Sequence, residues 1–509
     1  MATVSATPGT PDEQSGVMDK GLKKNAIGYL SNIVIGVAST APAYSLAATL
    51  GGIVLISGVG VHAPAVLLVS FVPMLLIAAA YKYLNRADPD AGTTFAWTTR
   101  ALGPATGWVN GWAIFLADVI VMASLADIAG IYTFKLFGWE SAASSKGAVL
   151  AAAVVWIAVM TWICYRGIEL SARIQQFLLS AEVAILALFS IVALVKVYGS
   201  HPAGSIKPSI SWLDPTQISF STLVVGLLLG VFIYWGWDSG VAVNEESEDP
   251  AEGPGRAAVI STILLVFIYV IVSIAAQAFH GTAFLGANES DVLSALGKPV
   301  LGGVLYKLLI IAVLTSASAS TQTTILPTAR TTLSMAHWKA VAAVLGRVHK
   351  RYLTPSVSTL GMGAISIAVT VPLLLLSEHV LFDSITAIGF PICFYYGFTG
   401  IACAVYYRRE LFKSVRNFLL LGLAPVTGGL ILFGVFVKAM IFYGHTANVE
   451  SKPILDITLP IWLGVGGLVL GFVLMLVSRL YFRPFFARKT ETAPPGLLEQ
   501  PVEHAPAHF

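Results

Sequence analysis

The chain has 509 residues, with 30 Lys and Arg against 27 Asp and Glu, for a net charge of +3. It is 56% hydrophobic and 11% charged, with a mean hydropathy of +0.79. Soluble domains carry about 25% charged residues, so a soluble enzyme or nucleic-acid-binding protein is excluded and an integral membrane protein is implied.

In chain order, the first residues are polar and rich in Pro, Ser and Thr. They predict a disordered tail over 1–24 with no cleavable leader. Apolar stretches long enough to cross a bilayer follow, and window length with flanking charge predicts about twelve of them. They fall at 27–57, 62–84, 105–136, 147–165, 173–198, 219–245, 257–281, 302–334, 357–377, 381–407, 416–443 and 458–482. Lys20, Lys23, Lys24, Arg86, Arg100, Arg166 and Arg173 fall on one side, as do the basic clusters 347–351, 408–416 and 483–489. The other side holds mainly Lys146, Lys207, Lys298 and Lys452. This bias places both termini in the cytoplasm and the chain, multi-pass, in the plasma membrane. Residues 483–509 read as a second cytoplasmic tail.

The segments between spans are too short for a folded extramembrane domain. Phosphate-loop, His-Glu-x-x-His and Cys-x-x-Cys patterns are missing, as is a basic stretch with interleaved aromatics. Cys164, Cys393 and Cys403 lie in or beside apolar spans and read as packing residues. No enzymatic activity, cofactor, metal or nucleic-acid partner is expected. What happens occurs inside the bilayer, among membrane lipid, on a small molecule.

Two spans are interrupted at their centres. The first contains "GVASTAPAYS", residues 36–45, and the sixth contains "YWGWDSG", residues 234–240. Each opens one half of a five-plus-five arrangement. Matched interruptions in two halves point to an inverted-repeat transporter and to its binding site. Unwound backbone survives at that depth only where it lines a cavity or is buried in protein.

Further segments carry a family resemblance. "LNRADPDAGTTFAWTTRALGPATGWVNGW", "GWDSGVAVNEESEDPAEGPGRAAVIS" and "SASASTQTTILPTARTTLSMA" with "RYLTP" resemble conserved regions of the amino acid–polyamine–organocation permeases, in that family's order. The resemblance implies an all-α LeuT-type fold: two inverted five-helix repeats over 25–407 with broken helices 1 and 6, then two more helices over 408–482. It departs from the family at Ala38–Pro42, where a Gly-Ser-Gly type motif is usual, and at Thr93, where a glycine is usual.

The resemblance also implies roles. A substrate α-carboxylate would meet the amides of Ser39, Thr40 and Ala41, and an α-amine the carbonyls of Phe232, Ile233 and Tyr234. Phe232 would close over the substrate, with Trp235 a second gating candidate and Trp237 as readily a packing residue. Glu245 and Glu246 read as solvated charges facing Arg256 and other loop cations.

Carboxylates inside spans are costly and therefore functional candidates: Asp118 and Asp127 in the third, Glu182 in the fifth, Asp238 in the sixth. Asp118 and Asp127 lie on opposite helix faces. Asp118 matches the family position that touches a substrate's distal end and favours cationic substrates. Asp238 is expected to hold the break's amides. Glu182 stands where many such permeases carry a Lys, so a cation must be recruited: a proton, or sodium held with Ser316 and Ser318. These expectations define a secondary transporter of amino acids or related amines, against a sodium-coupled or exchange-type carrier of neutral amino acids, or a channel or sensor. The oligomeric state is left open.

Overall fold

The computed structural model describes residues 19–377 and 379–494. The tail expectations for 1–18 and 495–509 lie outside the described residues. Among the described residues, eleven helical segments are long and apolar enough to cross a bilayer. A further crossing, the sixth, is built from Phe220–Ile233 and the short helix Ser239–Ala242. Among the described residues the structure is helical, with only two isolated backbone bridges.

Burial sorts the spans into layers. The most apolar window of the first span (Tyr29–Leu55) is 89% buried and that of the eighth (Lys307–His337) 83%, against 28% for the last (Ile461–Tyr481). The eighth is also the least apolar span, yet Ser316, Ser318, Ser320, Thr321, Thr323 and Thr324 are all buried. Ser316 and Ser320 reach across to the fifth and first spans, while Thr321 and Thr323 donate to carbonyls of their own helix. Close backbone approach brings the interrupted spans together. A Cβ on Gly240 would lie 2.5 Å from the Asn32 carbonyl oxygen, so the lower half of the first span packs directly on the sixth.

Two connecting helices were not anticipated, Thr94–Leu102 before the third span and Val292–Leu301 before the eighth. The first begins at Thr93, with φ 44° and ψ −117°. The conformation suited to the family's glycine is thus kept with a β-branched residue, at a cost of about 1–3 kcal/mol.

Parts of both segments expected as tails are packed on the bundle. Lys20 and Leu22 are buried, and the Ala26 N–H donates to the Glu246 carbonyl at 2.8 Å. At the other terminus, Phe485 is buried and stacks on Phe95, 5.8 Å away. The Glu491 N–H then donates to the Arg100 carbonyl (2.7 Å) and that of Ala493 to Tyr406 (2.9 Å). Apolar anchors, Leu22 and Phe485, fix segments whose overall composition is polar. The end of the bundle carrying these segments is called basal below, and the opposite end distal.

Candidate functional site

The first span stops at Ser39 and restarts at Pro42. Proline lacks an N–H and suits the first position of a new helix. Ala41, just before it, is left-handed (φ 47°, ψ 66°), which costs a non-glycine residue about 1–2 kcal/mol. The Ser and Thr residues satisfy the freed backbone. Thr40 Oγ1 donates to Val37 O (2.7 Å), Ser45 Oγ to Thr40 O (2.6 Å) and Ser320 Oγ to Ser39 O (2.8 Å). The Thr40 and Ala41 N–H groups turn back to the Val37 and Ala38 carbonyls at 3.2 and 3.1 Å. At the start of the upper half-helix, the Ala43 N–H donates to Glu182 Oε1 (2.7 Å) and that of Tyr44 to Ser316 Oγ (3.2 Å). Ser316 Oγ in turn donates to the same Glu182 oxygen, at 2.8 Å.

The sixth span leaves its helix after Ile233 and turns through Gly236, with φ 120°. The two breaks touch: Ser39 Oγ and Ser239 Oγ are 2.8 Å apart, and a Cβ on Gly236 would lie 2.8 Å from the Ser39 carbonyl carbon. Gly236→Ala is therefore expected to cost about 1–3 kcal/mol from backbone strain alone, with a further loss from the clash. A thermal-unfolding midpoint equal to wild type would contradict this contact.

The remaining expected groups are distributed unevenly. The Ile233 carbonyl accepts from the Tyr269 hydroxyl (2.5 Å) and that of Phe232 from the Trp235 N–H (3.0 Å). Among the described residues nothing donates to the Tyr234 carbonyl. Phe232 meets Tyr44 edge to face at 6.2 Å. A cavity of about 490 Å³ lies distal to this pair, lined by Gly52, Leu55, Leu229 and Phe382 among others. Trp235 Nε1 donates to Tyr395 Oη at 2.5 Å. Trp237 is packed between Tyr81 and Tyr396, with ring centroids 4.9 and 5.2 Å away.

Asp118 is buried and accepts from the Thr328 hydroxyl of the eighth span. Asp127 points elsewhere, into two smaller distal cavities. Of the break's amides, the Asp238 carboxylate meets its own backbone N–H. Its carboxylate accepts from Tyr396 (2.9 Å), Tyr395 (3.1 Å) and Tyr81 (3.4 Å), which ties the sixth span to the second and tenth. No local pattern signals these tyrosine partners. Glu182 is fully buried, and its Oε2 has no partner. Ser316 donates to its Oε1, whereas the buried Ser318 hydroxyl is unpartnered.

Residues 27–475 match the model of a family described as amino acid permease. The chain belongs to the amino acid permease family. Among relatives of this permease, the branched-chain amino acid permease of Bacillus subtilis is 24% identical over 410 residues, 76% of this chain and 83% of its own. The large neutral amino acids transporter small subunit 2 of Homo sapiens is 24% identical over 332 residues, 63% of this chain and 58% of its own. An uncharacterized transporter of Mycobacterium tuberculosis is 26% identical over 301 residues, 57% of this chain; the permease spans 63% of that relative's length. The crystal structure of MhsT in complex with L-phenylalanine aligns with a TM-score of 0.54 at 16% identity, covering 82% of this chain and 99% of that one. The likeness shows the LeuT-type fold.

In the permease, the basal end is closed by charges that sequence reasoning misread. Glu246 is fully buried and meets Arg330 of the eighth span through both oxygens, at 2.5 and 2.9 Å. Glu245 binds Lys20, whose ammonium also lies 3.1 Å from Asp90. Burial opposes the charge on Lys20, but the two carboxylates outweigh it and hold the ammonium above its ordinary lysine value. For Asp90, burial is likewise outweighed by Lys20, by Ser334 and by the Gly92 N–H, which hold the carboxyl below its usual range. The expectation that Glu245 and Glu246 are solvated is overturned. Arg330, an ionisable group inside an apolar span, was the available signal.

Proposed function

We propose that this permease moves a cationic amino acid or related amine across the plasma membrane by alternating access around the two touching breaks, driven by a proton taken up at Glu182. Both termini are cytoplasmic in this reading, so the basal face is the inner one. The observation that carries it is the joined pair of breaks, Ser39 against Ser239, in a core whose buried carboxyls Asp118, Asp238 and Glu182 have no Lys or Arg partner among the described residues. A desolvated carboxyl without a base attracts a cationic ligand more strongly than it would in water. Phe232 with Tyr44 forms the distal closure, and the Arg330–Glu246 and Lys20–Asp90–Glu245 contacts form the basal one.

Sodium held at Glu182 and Ser316 is the second reading for coupling, because Glu182 Oε2 is an unfilled hard-oxygen ligand. The relatives named for branched-chain or large neutral amino acids make neutral substrates the competing outcome. Reconstituted flux that is saturable and supports counterflow distinguishes a carrier from a channel. Binding of lysine, ornithine, putrescine and leucine to wild type and Asp118→Asn tests the substrate. The variant is expected to lose about tenfold affinity for cationic ligands, some 1.4 kcal/mol, and little for leucine. An unchanged order of preference would remove Asp118 from the site.

A further inference from the structure

We infer that the ligand is an amine carrying no carboxylate, because the amides that the first break could offer an anion are already taken, one of them by the Glu182 side chain. The inference deepens the function proposed above and rests on its placing the ligand at the two breaks. A helix N-terminus offers N–H groups and partial positive charge to an anion. The half-helix Pro42–Leu55, 14 residues long, has none left to offer. Pro42 has no N–H, Ala43 donates to Glu182, Tyr44 to Ser316 and Ser45 to the Ala41 carbonyl. The preceding amides, Thr40 and Ala41, are turned back onto their own helix.

A base to pair with a ligand carboxylate is also missing from this region. Among the described residues the buried Lys and Arg side chains are Lys20 and Arg330, and both are held by carboxylates at the basal end. Trp237 Nε1 is the one buried side-chain nitrogen there without a partner, and it is shut between two tyrosine rings. The second break offers no better seat, since an anion beside Gly236 would face the Asp238 carboxylate.

Acceptors are left over, while the other free donors here are two hydroxyls, Tyr44 Oη and Ser318 Oγ, which can equally accept. Glu182 Oε2 is buried and unpartnered, the Tyr234 carbonyl receives no donor among the described residues, and Asp118 has a single hydroxyl donor. Acceptors without donors are met by ammonium N–H groups, whereas a carboxylate would add one more acceptor and remain unpaired.

The test is titration calorimetry of the purified full-length permease with pairs that differ by one carboxylate: cadaverine with lysine, putrescine with ornithine, agmatine with arginine. In every pair that binds, the amine is expected to bind at least about tenfold tighter. An amino acid binding as tightly as its amine overturns this inference and leaves the proposed function standing. Binding by no member of any pair, or by leucine alone, overturns both. Glu182→Ala, which empties the seat, is expected to shift the ratio about tenfold toward the amino acid. Glu182→Gln retains an acceptor for Ala43 and is expected to keep the wild-type order. A role confined to packing would weaken both members alike in Glu182→Ala and would remove Glu182 as the determinant.

Discussion

Glutamine at position 182 is expected to abolish accumulation driven by an inward proton gradient, with a fall of at least about tenfold in initial uptake, while counterflow exchange persists. Wild-type and Glu182→Gln proteoliposomes would be compared under an imposed pH gradient, with and without sodium. The side chain keeps its shape in this variant, and Oε1 can still accept from Ala43 and Ser316, at 2.7 and 2.8 Å in the wild type. What is lost is the site for a proton at the unpartnered Oε2. Because Glu182 joins the fifth span to the first and eighth, a change in its charge acts directly on the helices that meet at the break. Wild-type uptake indifferent to both gradients, or a variant with the same gradient dependence, would remove Glu182 from coupling. Stimulation by sodium alone would transfer the role to the second reading.

The other large effect concerns stability. Arg330→Ala strands the fully buried Glu246 carboxylate and is expected to cost about 3–5 kcal/mol. That is a large part of the roughly 5–15 kcal/mol that holds a typical fold together. Replacing both partners at once, Arg330→Met with Glu246→Leu, leaves no stranded charge and is expected to recover most of the loss. Thermal unfolding of the purified single and double variants measures both. A single variant as stable as wild type would show that water reaches the pair. In the proposed cycle, basal opening would separate these groups, and a ligand that binds the open form better would have to compensate for their loss. The double variant is accordingly expected to spend more time open at the basal end.

The breaks were legible because their causes are local. A proline, a run of small and hydroxylated residues and a Gly-Trp-Asp-Ser-Gly stretch each weaken the helix where they stand; their matched positions pointed to an inverted repeat, and the family resemblance then named the fold. Ser316 and Glu182 were legible for a related reason, as polar groups that a lipid-facing helix would not carry. The basal closure was not, because its partners are far apart in the chain. Glu246 and Arg330 are 84 residues apart, and Lys20 and Glu245 are 225 apart. Read locally, an acidic pair at a span end resembles a solvated terminus. Asp238 was legible in part: its place at the break was clear, but its partners Tyr81, Tyr395 and Tyr396 belong to two other spans. Thr93 shows the reverse case, where the departure from glycine was visible but its left-handed conformation was not.

The C-terminal segment has a consequence for biogenesis. Arg100 waits 391 residues for Glu491, which bonds it at 2.6 Å, and Phe95 waits as long for Phe485. At about 5–20 residues per second, a ribosome takes roughly 20–80 s to cover that distance. Throughout that interval the helix Thr94–Leu102 stands at the nascent protein's basal end without its final cover. A chain interrupted shortly before Phe485 would hold every span and still lack its seal, and such a stalled product would be the leaky or protease-sensitive species that quality control in the membrane has to recognise.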